Sequence, residues 1–178
     1  PTTFCMPLGT PRNMLQTEYP IEVVQTPDRV LIVIRPNLAN TEVRRIPLDT
    51  PLPDAPDPSW FGTSRGRWEG STLVVETIGL RPDAPITGQG LTHSADLRVV
   101  ERFTVTRNDQ GQRVLVDEIE LHDPQAYEAP IKTRRQFVSA PFSTVMREPA
   151  CVELQWIDKL WRDRLSEHAE AARPGRSR

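Results

Sequence analysis

Two carboxylates, Glu101 and Asp117, interrupt otherwise aliphatic stripes, and they are the residues best placed for chemistry. The run from Leu97 to Val105 alternates with a period of two, and its odd positions are Leu97, Val99, Glu101, Phe103 and Val105. The run from Leu115 to Asp123 puts Leu115, Asp117, Ile119 and Leu121 on one face. Such alternation is the mark of a half-buried strand. Asn108-Asp109-Gln110-Gly111-Gln112 lies between the two runs with turn chemistry, which predicts a hairpin.

Matching the apolar faces predicts the register: Val105 opposite Leu115, Phe103 opposite Asp117, Glu101 opposite Ile119, Val99 opposite Leu121. Glu101 and Asp117 then become diagonal neighbours, roughly 6–8 Å apart between β-carbons. Lost hydration raises the pKa of a buried carboxylate, and two such groups raise each other further. A protein without a cofactor can hold a proton-transfer group near neutrality in this way. Arg135, on the alternating run Ile131, Thr133, Arg135, Phe137, supplies the competing reading. It could neutralise one or both acids as a buried ion pair.

A second set gathers at the end of the same hairpin. Extending the register pairs Leu97 with Asp123, which brings His93 and Asp123 to one end, with Tyr127 one short loop away. A histidine oriented by an aspartate, with a tyrosine nearby, makes an acid/base set at a pocket mouth. The structural alternative is a turn former, a loop anchor and a solvated histidine. Arg65 and Arg67 flank Trp68 with Glu69, either as a surface ion-pair cluster or as a fork for a ligand carboxylate. With Trp60, Phe103 and Arg135 they form the expected substrate-binding set.

The elements that must position these groups are mostly strands. Strand signals lie at 21–26, 29–35, weakly at 42–48, at 66–77 around a Gly70-Ser71 turn, at 97–123 and at 131–138. The 18 prolines concentrate outside the apolar runs, as expected of rigid loops around β-structure. The 79–95 segment is too long for a tight turn and predicts a lid or binding loop. Val152, Trp156, Ile157, Leu160, Trp161 and Leu165 recur at helical spacing and predict one helix over 149–172.

The expected fold is all-β: an antiparallel lipocalin-like β-barrel with one C-terminal α-helix. Its parts are an irregular arm at 1–20, a barrel at 21–148, a helix at 149–172 packed on the barrel, and a disordered tail at 173–178. A barrel of about eight strands can enclose one small apolar ligand.

The 178 residues carry a formal charge of −2, which gives no footprint for nucleic acid or anionic membrane. No apolar stretch approaches the ~20 residues of a membrane span. His93, His122 and His168 are dispersed, and neither cysteine has metal-ligand spacing, so no metal centre is expected. Nucleotide, serine-hydrolase and metalloprotease motifs are missing, and no cofactor is expected. Cys5 and Cys151 bracket the domain, either as unrelated thiols or as a disulfide contributing ~5 kcal/mol by loop closure. The chain opens on Pro1 rather than Met, so something before it is expected to have been removed or left out.

Three motifs carry a resemblance: Gly66-Arg67-Trp68-Glu69-Gly70 with Thr72-Leu73-Val74-Val75-Glu76-Thr77; His93-Ser94 with Leu97 and Val99-Val100-Glu101-Arg102-Phe103; and Asp123-Pro124 with Tyr127. With the Cys5–Arg12 arm and Cys151, they resemble a family of exported bacterial proteins. The resemblance spans most of residues 5–151. It implies a periplasmic or secreted location and a Cys5–Cys151 pair, but supplies no mechanism. The chain departs from the family pattern at Thr63, where histidine is commoner, and at Ala95, where glutamate is.

The resulting expectation is a cofactor-independent acid/base enzyme: a lyase, isomerase or cyclase acting on a hydrophobic or aromatic small molecule in a barrel cavity. Glu101, Asp117, His93, Asp123 and Tyr127 are its catalytic candidates. The alternatives are a periplasmic lipocalin-like binding protein for a hydrophobic ligand, and an interaction module with a solid core. Pairing with a second copy through an edge strand stays open.

Overall fold

Alternation of apolar and polar side chains becomes eight strands in two sheets. The computed structural model describes residues 6–15, 20–34, 41–141, 143–144, 159 and 161–164. Strands β1 (Ile21–Gln25), β2 (Arg29–Ile34) and β3 (Glu42–Pro47) form a three-stranded antiparallel sheet in that order. Strands β4 (Thr63–Glu69), β5 (Thr72–Ile78), β6 (Arg98–Arg107), β7 (Arg113–His122) and β8 (Ile131–Val138) form a five-stranded antiparallel meander. The all-β class is as expected. The barrel is seen only at the coarser level of two sheets, with no ladder joining β1 to β8 among the described residues.

The β6–β7 register is the one predicted from the apolar faces: Val105 faces Leu115, Phe103 faces Asp117, Glu101 faces Ile119 and Val99 faces Leu121. The connecting turn closes through the Asn108 N–H on the Gln112 carbonyl at 3.1 Å. The Asn108 side-chain oxygen accepts the N–H groups of Gln110 and Gln112, and Gly111 supplies the positive φ of 74°.

One continuous core lies between the sheets. Val30, Ile32, Ile34 and Ile46 come from the small sheet, and Leu73, Val75, Val99, Phe103, Ile119 and Leu121 from the large one. Burying each of these side chains contributes about 1.5–3 kcal/mol. The sheets meet at Gly66, where a parallel bridge to Leu48 brings β4 against the end of β3. A β-carbon on Gly66 would lie 2.9 Å from Ile46 Cγ2 and 3.0 Å from Leu48 Cδ2. Only glycine permits that approach without a shift.

The described part of the N-terminal arm, residues 6–15 and 20, is not irregular throughout. A four-residue helix, α1 (Arg12–Leu15), forms there, and Leu8 and Met14 are buried. The 79–95 segment also packs inward, burying Leu80, Ala84 and Ile86. Of the expected C-terminal helix, Lys159 and residues 161–164 are helical, and the rest lies outside the described residues. Trp161, expected on the packed stripe, is 61% exposed. Cys5 and Cys151 lie outside the described residues, as does the 173–178 tail.

Candidate active site

Strand β3 places Glu42, Arg44 and Ile46 on its inner face, and Val43 and Arg45 on its outer one. Strand β6 places Val99, Glu101 and Phe103 inward in the same way. Arg44 (1% exposed) thereby meets Glu101 (0% exposed) across the gap between the sheets. The pair is bidentate, with Nη1 donating to Oε1 at 2.8 Å and Nη2 to Oε2 at 2.5 Å. Parallel N–H bonds to both carboxylate oxygens are the strongest geometry open to such a pair. Burial alone would lower the Arg44 pKa, but the charge and hydrogen bonds of Glu101 outweigh it, so Arg44 stays cationic.

Asp117 lies opposite Phe103 on one side and Arg135 on the other. It is fully buried, and among the described residues neither of its carboxyl oxygens has a hydrogen-bond partner. Burial, followed by the nearby Glu101 charge, holds its pKa well above the ordinary aspartate value. Arg44 and Arg135 pull the other way without reversing this. Burial therefore favours the protonated form of Asp117, beside a Glu101 that is paired with Arg44.

Three corrections to the sequence reading follow. Arg135 is not the group that pairs with the acids. Its Nε donates to the Leu15 carbonyl at 3.0 Å, and its Nη1 donates to Thr133 Oγ1 at 3.2 Å and to the Arg134 carbonyl at 3.0 Å. The cation that sequence reasoning missed is Arg44. Its signal was the Ile46 frame, which puts residues 42 and 44 on the core face; charge at both positions made β3 look only weakly alternating.

The second correction concerns His93, Asp123 and Tyr127, which do gather at one end of the hairpin but not as an acid/base relay. Asp123 is committed to Ser94, accepting its N–H at 2.6 Å and its hydroxyl at 2.7 Å, with the Ala126 N–H at 3.3 Å. Burial raises the Asp123 pKa, but these bonds outweigh it and hold the group below the ordinary aspartate value. His93 Nδ1 is 2.7 Å from the Ser94 carbonyl, not from Asp123. The Tyr127 hydroxyl donates to the Thr92 carbonyl. All three contacts fasten the end of the 79–95 loop.

Third, Arg65 and Arg67 face away from Glu101. Arg65 pairs with Glu76 at 2.9 Å, and Glu76 also takes Arg98 at 2.7 Å. Arg67 and Arg102 share Glu69 at 2.6 and 2.9 Å. These are outer-face ion pairs, worth little each. Trp68 does share the inner row with Leu73, Phe103 and Asp117, but it is largely exposed at the end of β4. Trp60 instead carries the Arg81 guanidinium over its ring at 5.1 Å.

A further carboxylate that sequence reasoning missed, Glu42, completes the buried polar line. It accepts the Leu8 N–H at 2.5 Å and Asn13 Nδ2 at 3.1 Å. Burial raises its pKa against the pull of those bonds and of Arg12. Among the described residues, no group of three histidine, cysteine or acidic side chains is placed to hold a metal ion, and no helix is long and apolar enough to cross a membrane. Comparison with protein-family models, curated proteins and solved structures gave no match.

Proposed function

We propose that the protein is a cofactor-independent acid/base enzyme that moves a proton on an apolar or aromatic small molecule held between its sheets. The observation that carries this reading is Asp117: a buried carboxyl with two unpartnered oxygens, next to a Glu101 whose charge Arg44 already balances. A neutral carboxyl of this kind can give its proton from one oxygen and accept a substrate proton at the other. The substrate is then tautomerised and the acid regenerated, with no separate base needed. Within the lyase, isomerase and cyclase class, this chemistry favours an isomerase. Glu101 acts as a positioning residue whose charge favours the protonated form of Asp117, Arg44 holds Glu101 in place, and Phe103 offers an apolar wall beside it.

Three parts of the setting belong to the same proposal. The two sheets curve into a lipocalin-like barrel, supported by the close approach at Gly66. The protein is periplasmic or secreted and joins Cys5 to Cys151, as its resemblance to an exported family implies. A change in gel mobility on reduction tests the disulfide.

The reaction itself is tested by deuterium exchange. The protein is incubated in D₂O with enolisable ketones, enones and lactones, and deuterium uptake is followed by NMR. Wild type and the outer-face variant Arg67→Ala should exchange alike, while Asp117→Asn should lose roughly 10²–10⁴-fold, the usual worth of a positioned acid or base. Exchange that survives Asp117→Asn would contradict the assignment. Binding without exchange would favour the alternative, a lipocalin-like carrier of a hydrophobic ligand.

A further inference from the structure

Thr10–Asn13 holds more unpartnered buried polar atoms than any other described part of the chain: Thr10 Oγ1, Arg12 Nε and Nη1, and Asn13 Oδ1. Arg12 is the unusual member. It is only 7% exposed and makes no hydrogen bond or ion pair among the described residues. Leaving two guanidinium nitrogens, Nε and Nη1, buried and unpaired is costly, and burial lowers the Arg12 pKa, with the Glu42 charge pulling the other way. Glu42 does not bond Arg12, because its oxygens are taken by the Leu8 N–H and Asn13 Nδ2.

The route to Arg12 is short. Gly88, an exposed residue of the 79–95 loop, has only Arg12 near its missing side chain: a β-carbon there would lie 3.8 Å from Arg12 Nη2. The guanidinium therefore sits directly beneath a glycine at the surface.

We infer that Arg12 is a binding residue for the carboxylate of a small organic acid, which enters beneath Gly88 and pairs with the guanidinium. Arg12 Nε and Nη1 have no partner among the described residues, and arginine N–H groups suit carboxylate oxygens. Thr10 Oγ1 can donate to the same anion. Asn13 Oδ1 is an acceptor, which a carboxylate does not satisfy and a ligand hydroxyl does, so a hydroxy acid meets the whole set. This site rests on α1 and Gly88 rather than on Asp117, and it stands or falls separately from the isomerase reading.

Binding is measured by calorimetry in chloride buffer, with acetate, benzoate and mandelate as carboxylate probes, benzyl alcohol as the neutral control, and inorganic phosphate as the competing anion. At least one carboxylate should bind saturably, benzyl alcohol should not, and Arg12→Met should weaken binding at least tenfold. Gly88→Leu, which plugs the entry without touching the core, should do the same with an unchanged melting temperature; it decides the matter if Arg12→Met fails to fold. The inference is overturned if no carboxylate binds, if benzyl alcohol binds as well as benzoate, if phosphate alone binds, or if Gly88→Leu binds like wild type. Loss of deuterium exchange in Asp117→Asn with benzoate binding intact leaves this site standing.

Discussion

Asp117 makes the fold pH-dependent in a direction opposite to that of most carboxylates. Its folded pKa is raised by burial and then by Glu101, so the unfolded chain ionises first as pH rises. Stability should fall from the ordinary aspartate range upward through the raised folded value, and level off above it. Asp117→Val removes both the ionisation and two unsatisfied oxygens. It should raise stability by about 1–3 kcal/mol at neutral pH and flatten this slope, as read from urea melts at several pH values. A variant that gains stability while losing proton exchange would carry the signature of a group kept for function. Both acids were legible in the sequence, because a carboxylate inside an aliphatic stripe has no ordinary reason to be there. Arg44 was not, because Glu42 and Arg44 hide the very alternation that would have placed them inward.

At the scale of elements, hairpins were legible wherever turn chemistry and alternation agreed. The β6–β7 register followed from Asn108–Gln112 and two matched stripes, and β4–β5 turns at Gly70-Ser71 as read. The 79–95 loop was legible as a loop but not as packed structure, because its anchors are contacts between residues distant in sequence. Tyr127→Phe frees the Thr92 carbonyl, and should speed amide hydrogen exchange around residues 92–97 while costing about 0.5–1.5 kcal/mol. Unchanged exchange there would mean that the loop is held by other contacts. At the β3–β4 meeting point, Gly66→Ala should cost about 1–3 kcal/mol by overpacking against Ile46 and Leu48. A thermal melt unchanged from wild type would count against that close approach.

For the whole molecule, the Arg44–Glu101 pair is a polar pin between two largely apolar sheet faces, with Glu42 and Asp117 the other buried carboxyls on them. Removing one partner strands a buried charge, so Arg44→Met should cost about 3–5 kcal/mol. Adding Glu101→Met should recover much of that loss, which a double-mutant cycle by chemical denaturation would measure. The all-β class was legible because period-two alternation is a local signal. The expected barrel is seen only as two sheets, since closure depends on edge strands β1 and β8, which are far apart in sequence and carry no local mark of meeting. The central claim is that Asp117 is a protonated acid at rest, and carbon-13 NMR of protein labelled at the aspartate carboxyl carbons, assigned with Asp117→Asn, tests it most directly. The account predicts that the Asp117 carboxyl signal stays in its protonated position through the pH range where exposed aspartates ionise, moving only well above it. A titration midpoint near that of an ordinary aspartate would contradict it.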